Sequence, residues 1–431
     1  MKSPLVALSP HQLLAVLGIV VAAPACGGSV SGAGDQPIVL DLDGSVDAAS
    51  LIIHIDSGTR HDASSAVADT GVDASHESPK MIAVPLNGCT PSEYNAGLTV
   101  GTQTFQLSVD TGSTTLGVAS TKCTSCGVNP EYAPGPSAVD ENMTGVSQYG
   151  TGAWSGEIYE DTVGVPSNDT APVRLVAIDT QSQFFQSVQC TGGAPQGIVG
   201  FAPSGSAVNG TNGFFDDLVA ATGMPNVFAT ELCGTTGTLW LGGFDPSFTT
   251  AAPTYVPFSN SFFSPYYYTL NLSSITVAGT TTPVANGQYT DSLVDTGTSI
   301  VILGTAAFNG ITAAIASSPG FQQVFGGADA GVAFLSSPQN CIGLGMSKAE
   351  LDATLPPLTL TFGAITVQAA ATESYLINYG SDWCPALDQQ PEDPNNFPFA
   401  AILGSPILRS NVIIFDRANS RMGFAPHTPC P

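Results

Sequence analysis

From Met81 onward the chain alternates short apolar runs rich in Val, Ile, Thr, Phe and Tyr with Gly, Pro and Asn punctuation, as in Phe105 to Val109, Val173 to Ile178, Gly237 to Leu241 and Leu358 to Val367. Runs of this length and composition between turn signals predict strands. Helical periodicity is confined to short stretches near Phe214 to Ala221 and Ala306 to Ala316. The body is therefore expected to be mainly β. One internal similarity organises it: Val109-Asp110-Thr111-Gly112-Ser113 returns as Val294-Asp295-Thr296-Gly297-Thr298, 185 residues later. A second pair follows in the same order, Gly197-Ile198-Val199-Gly200-Phe201 and Ala401-Ile402-Leu403-Gly404. Two signals repeated in order, at a spacing far beyond a solenoid repeat, predict two duplicated lobes, placed at residues 81–255 and 256–431.

The region ahead of this body has a different character. Lys2 precedes the apolar run Leu13 to Ala23, which is too short to span a bilayer, and Ala23-Pro24-Ala25 offers a small-residue cleavage site. Residues 1–25 are read as an export signal. Cys26 directly follows, so the cut is either an ordinary signal cleavage or one that leaves Cys26 lipidated. Residues 26–80, rich in Gly, Ser and Asp, are expected to form a flexible acidic spacer. Apart from the leader, no stretch reads as a transmembrane helix.

Composition narrows the function. With 9 Lys+Arg against 34 Asp+Glu the formal charge is −25, so nucleic-acid backbones and anionic membranes would repel the chain. Five scattered His form no ligand cluster, and no metal or cofactor is expected. Nine cysteines fit an oxidising compartment: apart from Cys26, eight remain to pair. Cys123-Thr-Ser-Cys126 lacks the second CxxC or clustered His of a zinc site and reads as a small structural loop.

The paired Asp-Thr-Gly turns carry the chemistry. Glycine lets the backbone turn tightly and approach a partner, while the aspartate projects from the turn. Two such turns meeting across a pseudo-twofold axis would place Asp110 and Asp295 within reach of one water. Like charges at that range cannot both ionise comfortably, so the pair would hold one proton in acid. One carboxylate can then deprotonate the water while the other polarises a carbonyl, which is acid–base hydrolysis without metal or covalent intermediate.

Over about residues 85 to 431 the sequence resembles the pepsin-like aspartic protease family. Leu107 to Ser120 looks like its first active-site strand and loop, Ser292 to Ile302 like its second, and Ala401 to Pro426 like its closing segment. The resemblance implies an all-β bilobal fold, aspartic endopeptidase activity on peptides or proteins, and a monomer working in acid, secreted or at the cell envelope. It implies that Ser113 and Thr298 hydrogen-bond the outer carboxylate oxygens, that Thr111 and Thr296 tie the two loops together, and that the amides of Gly112 and Gly297 face the carboxylates. Val146 to Gly156 looks like the flap hairpin, with Tyr149 at the flap tyrosine and Gly150, Thr151 and Gly152 at the tip.

Cys341 with Cys384 resembles the family's C-terminal-lobe disulfide. Cys190 with Cys233 would stay within the N-terminal lobe, which leaves Cys89 with Cys430. Cys123 and Cys126 are closer than the family's usual small loop and form either a tight bridge or pairs elsewhere. The chain also departs from the family at Gly117, where a tryptophan that hydrogen-bonds the flap tyrosine is common, which leaves the flap's anchor unidentified. A pepsin-like binding or inhibitor module that has lost turnover is the alternative function. Phe105, Phe184 and Phe185 read as core packing before pocket walls.

Overall fold

The computed structural model describes residues 80–88, 93–150, 152–185, 194–392, 397–428 and 430. The leader, Cys26, nearly all of the acidic spacer, Cys89, Thr151 and Cys190 lie outside the described residues. Short strands dominate, and the four runs singled out above fall in strands Gln103–Asp110, Thr170–Ser182 and Thr236–Leu241 and in the hairpin Leu358–Phe362 with Ile365–Ala369. The last run is thus two strands, because Gly363, with φ of 62°, turns the chain between them.

Two equivalent strand arrangements are the centre of the architecture. The strand Gln103–Asp110 runs parallel to Gly197–Gly200, which in turn pairs antiparallel with Gly117–Ala119. In the second half Ser292–Val294 runs parallel to Ala401–Leu403, which pairs antiparallel with Val301–Gly304. The second repeated sequence signal is therefore the strand that buttresses each Asp-Thr-Gly strand. All six strands are almost wholly apolar and buried where they pair, as expected of strands covered on both faces.

The halves are not sealed off from each other. Strands Asn411–Asp416 and Arg421–Pro426, near the C-terminus, join the sheet of the first half: Asn411–Asp416 pairs antiparallel with Val227–Cys233, and Arg421–Pro426 with Thr254–Pro257. Aromatic packing accounts for the affinity. Phe415 stacks on Phe228 at 4.4 Å, Phe228 packs on Phe201 at 5.0 Å, and Tyr268 meets Phe415 at 5.0 Å, all buried. Truncating one such ring to alanine typically costs about 3–5 kcal/mol, so the last strands are held well beyond their ladder hydrogen bonds.

That pairing corrects two expected disulfides. Cys233, at the end of its strand, bonds Cys430 and not Cys190, and Cys430 is thereby unavailable to Cys89. The C-terminal strands lie in the same sheet as Val227–Cys233, which returns the chain end to Cys233 across a sequence separation of 197. The bridges Cys123–Cys126 and Cys341–Cys384 are both present. The expected helices appear as Phe214–Thr222 and Thr305–Ser317. Beyond them, the second half holds helices Pro319–Phe325, Ala328–Leu335 and Lys348–Thr354, the last started by a capping box of Ser347 and Glu350. Among the described residues no helix is long and apolar enough to cross a membrane.

Candidate active site

Each Asp-Thr-Gly turn follows directly from its buried strand, and the two turns are joined by reciprocal hydrogen bonds. The Thr111 amide donates to Thr296 Oγ1 at 3.1 Å and the Thr296 amide to Thr111 Oγ1 at 3.0 Å. Each hydroxyl then donates across the junction, Thr111 to the Val294 carbonyl at 3.0 Å and Thr296 to the Val109 carbonyl at 2.7 Å. Four buried bonds related by near-twofold symmetry fix both turns at once, with donors and acceptors fully matched.

Asp110 and Asp295 are brought together at this junction, both essentially without solvent exposure. The amide of Gly112 donates to Asp110 Oδ1 and that of Gly297 to Asp295 Oδ1, each at 2.8 Å. The outer oxygens accept from hydroxyls, Asp110 Oδ2 from Ser113 and Asp295 Oδ2 from Thr298 at 2.5 Å. The glycines are demanded by space. A Cβ on Gly112 would lie 2.7 Å from the Asp295 carboxyl carbon, and one on Gly297 would lie 2.5 Å from Asp110 Oδ1. The buttress strands need glycine for the same reason: a Cβ on Gly200 would meet the Ser113 carbonyl oxygen at 2.5 Å, and one on Gly404 the Ile300 carbonyl oxygen at 2.1 Å.

Burial raises both carboxyls above the ordinary aspartate range. The Asp110 charge and the hydrogen bond between the two carboxyls raise Asp295 further, and that same bond, with donation from Ser113 and Gly112, draws Asp110 part of the way back. The pair thus takes up one proton jointly in acid, its charge spread over a hydrogen-bonded set. Water would have two chemically unlike partners there, one acceptor and one donor.

Over this centre stands the hairpin of Val139–Gln148 and Ala153–Gly164, whose tip is closed by the Tyr149 amide donating to the Gly152 carbonyl at 2.9 Å. Tyr149 is buried, and its phenol is held above its ordinary pKa by burial and then by the charge of Asp110. Gly150 is exposed at the tip. The residues near Tyr149 include one that the sequence did not single out, Trp154. Phe184 packs on Tyr149 at 5.2 Å and on Phe185 at 4.9 Å, both half-buried against the cluster that holds Tyr149 and Trp154, and Phe105 is buried in the main core, so all three pack as expected. Trp154, buried, lies 6.1 Å from the Tyr149 ring. Its register partner is Ser147, one ladder position behind the tip pair of Gln148 and Ala153. The signal for Trp154 was present as an aromatic at an inward-facing strand position, but period-two patterning does not say what that position faces.

Tyr267 is the other residue missed. Its phenol is raised first by burial and then by the charges of both Asp110 and Asp295, which places it beside the pair from the second half. It packs with Phe263 and Phe399 around the Asp295 strand. Nothing in the run Tyr266-Tyr267-Tyr268 distinguishes the ring beside the carboxyls from Tyr268, which donates to the Phe201 carbonyl at 2.7 Å in the core.

The only metal-capable grouping of side chains found among the described residues, Cys233, His427 and Cys430, includes both sulfurs of a disulfide and offers no thiolates. A family model described as eukaryotic aspartyl protease matches residues 93–427. Over 361 residues the chain is 28% identical to pepsin A of Gallus gallus, covering 79% of this chain and 86% of that protein. It is 29% identical over 377 residues to cathepsin E of Aquarana catesbeiana, covering 81% and 83%. To an aspartic protease of Phaffia rhodozyma it is 26% identical over 340 residues, covering 78% and 76%.

Proposed function

Because the chain belongs to the eukaryotic aspartyl protease family, we propose that it is an active endopeptidase in which Asp110 and Asp295 activate one water against the scissile carbonyl of a bound peptide. The observation that carries this reading is the complete, matched support of both carboxyls: two amides, two hydroxyls and the reciprocal threonine bonds.

The ionised carboxylate takes a proton from water as the oxygen attacks the carbonyl carbon, and the protonated one donates to the carbonyl oxygen. A gem-diol results. Its collapse transfers a proton to the amide nitrogen, breaks the C–N bond and returns the pair to one shared proton, as in pepsin, the reference case for such sharing. The hairpin bearing Tyr149 excludes bulk water and holds the peptide backbone. Phe184 and Phe185 on one side and Tyr267 on the other give the cleft apolar walls, which favours apolar side chains beside the scissile bond. The three disulfides among the described residues support work outside the cytosol.

Acid digestion of a mixed peptide library tests this. The wild type should cleave, and Asp110→Asn and Asp295→Asn should each lose about 10²–10⁴-fold or more in kcat, the range for removing a general acid or base. Cleavage that survives both substitutions would remove the pair from the reaction. A correctly folded wild type that cuts nothing between pH 2 and 6 would leave a binding module as the better account.

A further inference from the structure

The hairpin that carries Tyr149 also carries a wedge. Gly117 sits in the strand Gly117–Ala119, one strand away from the Asp110 strand, and presents no side chain. The space it leaves is filled: a Cβ there would lie 3.2 Å from Trp154 Cζ2 and 3.2 Å from Ile178 Cδ1. The Cζ2–Cε2 edge of the indole therefore occupies the space beside Gly117, next to Ile178, with Phe184 and Trp154 in a T-shaped contact at 6.5 Å. The Cys123–Cys126 bridge belongs to the same buried cluster.

Two polar atoms in this cluster are unsatisfied. The Tyr149 hydroxyl and Trp154 Nε1 are both inaccessible to solvent, and neither has a hydrogen bond of good geometry among the described residues. They are nevertheless neighbours. The indole N–H, like the hydroxyls of Ser147 and Ser113, stands close enough to the phenol to oppose the effect of burial on it. A buried donor left unpaired is an uncompensated cost, and one short movement of the hairpin tip would satisfy both groups together.

We propose that Trp154 is the positioning residue of this hairpin: seated in the slot that Gly117 leaves open, it holds Tyr149 over Asp110, and it donates its indole N–H to the Tyr149 hydroxyl when a peptide draws the hairpin down. The proposal rests on reading the hairpin as a flap over a peptide cleft. The wedge travels with the element it positions, because Trp154 and Tyr149 belong to one hairpin. Opening must lift the indole out of its slot, so entry of substrate and loss of the anchor are one event. The hydrogen bond contributes only in the closed state, where it raises turnover and not affinity.

Peptide kinetics and hydrogen exchange of the amides at 145–150 in the free protein, on Trp154→Phe, Trp154→Ala, Gly117→Ala and the double variant Gly117→Ala/Trp154→Ala, test it. Trp154→Phe keeps a ring in the slot and loses the donor: kcat should fall about tenfold with KM within about twofold, the size of one buried hydrogen bond. Trp154→Ala should raise KM as well and speed exchange at the tip, with exchange in the core strands unchanged. Gly117→Ala should speed tip exchange when Trp154 is present and far less when it is alanine, since the added methyl then meets only the end of Ile178. Wild-type kcat in Trp154→Phe would overturn the hydrogen bond. Additive effects of Gly117→Ala and Trp154→Ala on exchange would overturn the wedge. The exchange cycle needs no turnover, so a wild type that cleaves nothing would sink the peptidase reading while the wedge is still judged by its own measurement.

Discussion

At the scale of single residues, the centre of this molecule is governed by how closely two backbones approach. Gly112 and Gly297 each donate an amide to the aspartate of their own turn and leave room for the carboxyl of the opposite one, so each glycine serves both aspartates. Ser113 and Thr298 act on ionisation: hydrogen bonds to a carboxylate favour its charged form, and both hydroxyls pull their aspartates back from the rise that burial imposes. Removing one must therefore raise the pKa of the pair. Ser113→Ala is expected to move the acid limb of the kcat/KM profile to higher pH and to lower kcat by about tenfold, the worth of one charge-assisted bond. Profiles measured from pH 2 to 6 on both proteins decide it. An acid limb displaced to lower pH would contradict the assignment of Ser113 as donor to the charged form.

At the scale of elements, two kinds of sequence signal behaved differently. The Asp-Thr-Gly turns and their buttress strands are legible because glycine, aspartate and apolar runs are each fixed by local geometry, and the same geometry is used twice. The helices Pro319–Phe325 and Ala328–Leu335 escaped notice because they are shorter than a clear 3.6-residue period needs, and tertiary packing of Phe321, Phe325 and Phe334 holds them. Lys348–Thr354 is equally short but carries a readable start. Ser347 accepts from the Glu350 amide, and Glu350 accepts from the Ser347 amide at 2.8 Å. Ser347→Ala should lower the unfolding free energy by about 1 kcal/mol, the usual worth of such a cap, and leave kcat/KM unchanged. Urea titration with a parallel activity assay measures both.

At the scale of the whole molecule, the buried carboxylates and the net charge act together. Burial raises Glu93 and Asp388, raises Glu231, and takes Asp217 to about 6 with some help from the charge of Asp216. A carboxyl that binds its proton more tightly when folded contributes stability that is fully present below its unfolded value of about 4 and is lost as pH climbs through the folded value. For Asp217 that window runs from about pH 4 to just above 6. The lowered carboxylates, Glu350 exposed and Glu157, Asp169 and Asp245 half-buried near the surface, act in the opposite sense at lower pH, where solvent screens them. Self-repulsion at a formal charge of −25 adds to the loss near neutrality. The melting temperature should fall from pH 4 to pH 7, and Asp217→Asn should flatten that fall. A melting temperature that rises over this interval would refute the sign.

The pepsin-like bilobal fold and the identity of the two aspartates were determined by the sequence alone, because both depend on local rules stated twice: strand, turn glycine, carboxylate, hydroxyl, then a buttress strand ending in glycine. The tie between Thr111 and Thr296 and the place of Tyr149 at the hairpin tip were implied only by the family resemblance. What only the tertiary structure decided are the contacts between segments with no shared period. Cys233 reaches Cys430 because the C-terminal strands enter the first half's sheet, drawn by Phe415 on Phe228. Tyr267, in the second half, feels the charge of Asp110 from the first half as well as that of its own Asp295. Trp154 fills the place left by Gly117, 37 residues earlier in the chain, because the sheet lays the hairpin over that strand. Such pairings are set by packing across the sheet, where a side chain's neighbour is chosen by the fold and not by its position along the chain.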